Sequence, residues 1–225
     1  MTVAAVLLAA SPDRALADAA GVPRIRRIAA AAWSGGATPI IVVVPDPDGT
    51  VALALSGASV SMVEPVAVEA GPVGQIVRGI EAAVDEISAT AAVLIWPARM
   101  CWVGPETVTS LVEAHGLHPN SVIRPTYHGT PGWPVLMPLA AASTLRDLSP
   151  VAMPDELIAS LIAIGIPDLT LDLGDPGTVV DGDTDRSALP AYEGPGEPSR
   201  TPEWGAVVAA TPDDAPLESP PTAGS

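Results

Sequence analysis

Continuous apolar runs and helix-period stretches alternate along the chain. Residues 3–10, "VAAVLLAA", are apolar at every position, the pattern of a strand buried on both faces of a parallel sheet. Residues 22–34, "VPRIRRIAAAAWS", set Ile25, Ile28, Ala29 and Ala32 on one helical face. Gly35 and Gly36 then read as a helix stop, and Ile40 to Val44 as a second strand. "PDPDGT", 45–50, is turn chemistry, and 51–70 reads as short strands and connections. "VGQIVRGIEAAVDEI", 73–87, predicts a helix with Ile76, Ile80, Val84 and Ile87 on its apolar stripe, and "AAVLIW", 91–96, another buried strand. "GPETVTSLVEAHG", 104–116, predicts a helix with Pro105 near its first position and Gly116 at its end.

Strand, helix, strand, helix, strand, helix is the order of an α/β sandwich with a mainly parallel sheet. Two short strands follow within "SVIRPTY" and "GWPVLMP", then helices near 139–147 and 154–164. "DLTLDLG", 168–174, alternates as a strand does, and "TVVDGDTD", 178–185, reads as a short strand running into an acidic turn. The chain therefore divides at residue 189. Residues 190–225 are rich in Pro, Gly, Ser and acid, a composition that cannot bury enough surface to offset its ordering entropy, and predict a disordered tail. Within it, "EWGAVVAA", 203–210, is a candidate docking patch. No internal repeat is seen.

Composition narrows the function classes. The 225 residues are 48% hydrophobic but only 3% aromatic, with no Phe, so aliphatic side chains must fill the core. All ten basic residues are arginine, against 26 acids, for a net charge of −16. Such a surface repels DNA, RNA and anionic lipid at long range. A mononucleotide could still bind where backbone N–H groups and one or two arginines converge. Cys101 is the single cysteine, which rules out an internal disulfide and a CxxC metal site. No run approaches the ~20 apolar residues of a membrane helix, and no basic residue precedes the first apolar run as a signal peptide requires. A cytoplasmic protein is expected.

Ligands of open α/β sheets bind beyond the carboxyl ends of the strands. Four segments should arrive there: Ser11–Arg14, Pro97–Val103, the 126–133 loop and the 181–185 turn. Together with their flanks these carry a resemblance. "VAAVLLAAS", "GVPRIRRIAAAAWSGGATPIIVVVP", "GPVGQIVRGIEAA", "AVLIWPARMCWVGPETVTSL", "YHGTPGWPVLMP" and "VVDGDTD" resemble, in order and spacing, successive motifs of the MobA-like NTP transferase family. The branch most similar is the molybdenum-cofactor cytidylyltransferases, and the match runs from about residue 3 to 188. The resemblance implies a Rossmann-like nucleotide-diphospho-sugar transferase fold and binding of CTP or another NTP with Mg²⁺. It places Ser11, Arg14, Arg24, Gly74, Gly79 and Arg99 beside the nucleotide and Asp181 and Asp183 at the metal.

The chain departs from that pattern at three places. The family's first loop is Gly-rich and ends in Pro-Lys; here only Ser11, Pro12, Asp13 and Arg14 follow the strand. Pro12 removes an amide donor, Asp13 repels phosphate, and Arg14 is left to pair with it. The family's turn after the central strand carries an Asp that holds Mg²⁺; the aligned "ARMC" has Arg99 there, and a guanidinium cannot ligate a metal. Trp133 stands where the molybdopterin branch has His.

Several residues have two readings. Asp181 and Asp183 are either metal ligands or a solvated acidic turn. Arg99 either binds an anion or forms a salt bridge with one of those aspartates. Trp96, Trp102 and Trp133 are a stacking platform or core, and Cys101 is a reactive thiol or a packed one. His128 reads as an exposed loop residue, and His115 and His118 as capping or surface groups. At the level of function, a degenerate family member acting as a binding or regulatory partner of another protein competes with two alternatives. One is an active divergent nucleotidyltransferase that uses the three arginines and two aspartates. The other is an interaction protein acting through its acidic tail.

Overall fold

The computed structural model describes residues 2–194. Its strands are β1 (Thr2–Leu8), β2 (Ile40–Val43), β3 (Ser61–Val63), β4 (Thr90–Pro97), β5 (Val122–Tyr127), β6 (Thr130–Pro131), β7 (Val135–Pro138) and β8 (Asp168–Asp172). They form one sheet in the order β3-β2-β1-β4-β7-β5-β6, with β8 also paired to β5. β1 to β4 run parallel, as the alternating pattern predicts. β7 is antiparallel to both β4 and β5, which makes the sheet mixed. The continuous apolar runs are the central strands: Ala4 to Leu7 and Ala92 to Trp96 are fully buried.

Among the described residues, seven α-helices accompany the sheet: α1 (Pro12–Leu16), α2 (Arg24–Ser34), α3 (Thr50–Ala54), α4 (Gly71–Glu86), α5 (Pro105–Leu117), α6 (Ala142–Leu145) and α7 (Pro154–Ala163). α2 packs with α5, and α4 packs with α6 and α7, which gives three layers. α4 lies unusually close to the sheet because of Gly79. A Cβ there would stand 2.3 Å from Val6 Cγ1 and 3.1 Å from Val43 Cγ2. Among the described residues no helix is long and apolar enough to cross a membrane.

Local polar bonds account for the places where the pattern misleads. The segment 51–70 supplies one short strand, β3, and the helix α3. The Asp46 carboxylate accepts from Val51 N and Ala52 N, at 3.0 and 2.9 Å, and so starts that helix. The expected strand over 178–185 does not form. Asp175 instead folds its carboxylate onto Gly177 N (2.8 Å) and starts a 3₁₀ turn, Pro176–Thr178. Asp175 is 3% exposed and also accepts from Gly104 N and Thr107 Oγ1. The expected helix near 139–147 is a 3₁₀ turn and the four-residue α6. Residues 191–194 lie on the domain rather than beyond it. Tyr127 Oη donates to Ala191 O, Glu193 N donates to Gly174 O, and Glu193 pairs with His128. The rest of the expected tail, with its 203–210 patch, falls outside the described residues.

Candidate functional site

β1, β2, β3 and β4 end on the same edge of the sheet, and a two-part cleft opens beyond their carboxyl ends, the position such sheets favour for ligands. Its floor is shared: Leu8 at the end of β1, Ala9 and Ala10 after it, and Pro97 at the end of β4 line both parts. One part, about 500 Å³, is apolar, with Pro45, Pro65, Val66, Val68 and Met153 in its walls. Gln75 of α4 fixes one wall, because its side chain accepts from Val66 N and donates to Val66 O, both at 3.0 Å. The other part, about 380 Å³, is ionic and is lined by Arg14, Arg24, Arg99, Asp181 and Asp183.

Each of those residues arrives from a different element. Ser11 ends the first loop as the N-cap of α1, its Oγ accepting from Arg14 N at 3.3 Å. Pro12 occupies the first helical position, and Ser11 O takes Ala15 N. The loop thus spends its hydroxyl and the Arg14 amide on its own helix, and what it extends into the cleft is the Arg14 side chain. Arg24 opens α2 and is 4% exposed, a rare state for an arginine. Arg99 follows β4. The 181–183 turn is pinned beneath it, Gly182 N donating to Arg99 O at 2.6 Å.

The charges pair across the cleft. Arg24 Nη2 lies 2.6 Å from Asp183 Oδ1, and Arg14 Nη1 lies 3.7 Å from Asp183 Oδ2. Arg99 Nη1 lies 3.4 Å from Asp181 Oδ2, and Asp181 Oδ1 accepts from Asp183 N at 3.0 Å. The hydrogen bond from Arg24, then its charge, holds the Asp183 carboxyl below its usual range. All four carboxylate oxygens therefore face an N–H donor. Among the described residues no group of three or more His, Cys, Asp or Glu could hold a metal ion. Two carboxylates set among three guanidinium groups are a donor set for an anion, and Mg²⁺ does not fit them.

Five of the eight candidate residues thus converge here: Arg14, Arg24, Arg99, Asp181 and Asp183. Ser11 does not line the cleft and instead caps α1. Gly74 and Gly79 do not line the cleft. Gly79 meets Val6 and Val43, and a Cβ at Gly74 would stand 2.5 Å from Ala70 Cβ. Both serve close packing of α4. Trp96 and Trp133 are core, Trp96 Nε1 donating to Met100 O at 2.8 Å. Trp102 is half-buried under Arg27, whose guanidinium carbon sits 5.3 Å from its ring centroid. Cys101 is buried, and burial raises its thiol pKa, so it is packed. His115 is a correction: it is 5% exposed, and neither ring nitrogen has a hydrogen-bond partner among the described residues. The apolar half of the cleft was missed in the sequence. Its prolines, 45, 65, 72, 97 and 154, were spread over a turn, a connection, the loop after β4 and two helix segments, and nothing in the sequence joined them.

Residues 9–163 match the MobA-like NTP transferase domain. The chain belongs to that family. The fold of solved structures agrees. A nucleotidyl transferase from Methanothermobacter is 21% identical, with a TM-score of 0.59 over 75% of this chain and 87% of that one. A 4-diphosphocytidyl-2C-methyl-D-erythritol synthase from Anaerococcus prevotii is 11% identical, with a TM-score of 0.64 over 79% and 89%. A CMP:2-keto-3-deoxy-manno-octonic acid synthetase, solved with CTP, is 14% identical, with a TM-score of 0.58 over 77% and 90%. No curated protein matches the chain. In this MobA-like fold, the cleft at the ends of β1 to β4 is where the ionic and apolar halves meet.

Proposed function

We propose that this MobA-like chain keeps its family's cleft as a binding site, has lost nucleotidyl transfer, and acts as a binding or regulatory partner. One observation carries the reading: Arg99, standing where the family has a metal-holding aspartate, pairs with Asp181 and turns a metal site into an ion pair. Nucleotidyl transfer needs charge neutralised at the transferred phosphate as pyrophosphate leaves, and the family resemblance assigns that work to a lysine and to Mg²⁺. The sequence has no lysine. The two remaining carboxylates are occupied by arginine. The apolar half, of a size suited to a small ligand, and the relative solved with CTP favour a nucleotide as the ligand class. The molybdopterin branch is proposed for the origin of the chain on the "YHGTPGWPVLMP" stretch alone.

A thermal-shift titration with CTP, GTP and ATP, each with and without Mg²⁺, tests the reading, because a ligand that binds the folded state raises its melting temperature. The reading expects no Mg²⁺-dependent shift in the wild type. Arg99→Asp places a third carboxylate beside Asp181 and gains one, worth about 2.7 kcal/mol at a hundredfold excess of ligand over its dissociation constant. A Mg²⁺-dependent shift in the wild type with CTP would instead favour a divergent active enzyme.

A further inference from the structure

The ionic half of the cleft has a buried charge with unspent capacity. Arg24 is 95% buried at the side chain, yet its one carboxylate partner, Asp183, is 68% exposed. Its Nε is buried and has no hydrogen-bond partner among the described residues. Its guanidinium lies against Gly182, where a Cβ would stand 3.0 Å from Arg24 Cζ, so the turn comes close only because that residue is glycine. Arg14 and Arg99 complete the set with looser pairs of 3.7 and 3.4 Å, both at exposed side chains. Three cations face two carboxylates, a local excess of one positive charge in a chain of net charge −16.

We propose that this cluster is a metal-independent phosphoryl-anion site, and that Asp183 occupies it as an internal stand-in. An incoming phosphoryl group displaces the Asp183 carboxylate from Arg24 and takes Arg14 and Arg99 as further partners. The exchange suits the chemistry. Guanidinium binds phosphate oxygens through paired N–H donors. A phosphoryl group brings more charge and more acceptors than one carboxylate. Asp183 is exposed and lies on a turn, so its carboxylate can swing to water at little cost, whereas Arg24 is held by the packing around it. The arginines thereby do the neutralising that a metal would otherwise do. The proposal rests on the reading of the cleft as a binding site, and it names the ligand chemistry and the built-in competitor.

Calorimetry with inorganic pyrophosphate in EDTA tests it, on the full chain, as wild type, Asp183→Asn and Arg99→Gln. Pyrophosphate binds the wild type without metal. Asp183→Asn removes the competitor and tightens binding by roughly tenfold, about 1.4 kcal/mol, although its melting temperature without ligand falls because Arg24 loses its counter-ion. Arg99→Gln, at an exposed position, folds and weakens binding. Two results overturn the proposal: no heat with any of the three proteins, or Asp183→Asn binding no tighter than the wild type. CMP and CTP in the same buffer separate the sources of the phosphoryl group. CTP binding tighter than pyrophosphate brings the apolar half into play and supports both readings. Pyrophosphate binding with no gain from the nucleoside supports the anion site and sinks the nucleotide reading. Tightening of either ligand by Mg²⁺ sinks the metal-free claim.

Discussion

At the scale of single residues, what decides the chemistry is which charge stands at a given place. Arg14 and Arg99 were legible in the sequence as cations near the strand ends, because the order of the segments fixed where they arrive, whereas Arg24 was placed there only by the family resemblance. Their pairing with Asp181 and Asp183 was open, since a salt bridge and a metal site use the same carboxylates. The pairing that formed is the one the sequence could support, with arginine the sole basic side chain. His115 shows the opposite case. Sequence placed it near a helix end, where a surface role is the default, but it lies on the buried face of α5. Burial lowers its pKa below the ordinary value of about 6.5. The unfolded chain then binds a proton that the folded chain refuses. The contribution of His115 to stability is constant above about pH 6.5 and falls as the pH drops below it. The slope from one such group is at most about 1.4 kcal/mol per pH unit. Denaturant midpoints of His115→Leu between pH 5 and 7.5 should lack this slope, while the wild type shows it. An unchanged slope in the variant would place the titration elsewhere.

At the scale of elements, the apolar runs were read correctly because a buried central strand has no second interpretation in an alternating chain. β1, β2 and β4 fall within a residue or two of their expected positions. Two of the errors lie where one side chain bonds its own backbone. Asp46 begins α3 and Asp175 begins a 3₁₀ turn, and neither event has a periodic signature. Asp175 carries the larger consequence. It ties the 3₁₀ turn to Gly104 and Thr107 at the start of α5, at 2.9 and 2.7 Å. That turn leads into the 181–183 segment, so Asp175 is a structural support of the ionic half of the cleft. Asp175→Ala leaves Gly104 N, Gly177 N and Thr107 Oγ1 without their acceptor. The loss is about 3–5 kcal/mol, or a melting temperature lower by roughly 6–20 °C for a domain of this size. A circular-dichroism melt reads it directly. A shift below 2 °C would mean that other groups satisfy those donors.

At the scale of the whole molecule, a chain with a net charge of −16 concentrates three of its ten arginines in one small cavity. Scattered arginines would have served solubility no worse. Their convergence at the ends of β1 and β4 and the start of α2 is what the fold adds to the composition. The family match and the fold of the nucleotidyl transferases agree with the cleft's position. The charge inside it does not agree with a metal-assisted transfer. The central claim is therefore that the cleft binds an anionic ligand without a metal ion and leaves it intact. The most direct test is calorimetry of the wild-type protein with CTP, once in EDTA and once in excess Mg²⁺. The account predicts binding in EDTA that Mg²⁺ leaves unchanged or weakens, because the ion competes with arginine for the same phosphate oxygens. Binding that appears only with Mg²⁺, or tightens with it by tenfold or more, would contradict the account and return the chain to the active nucleotidyltransferases.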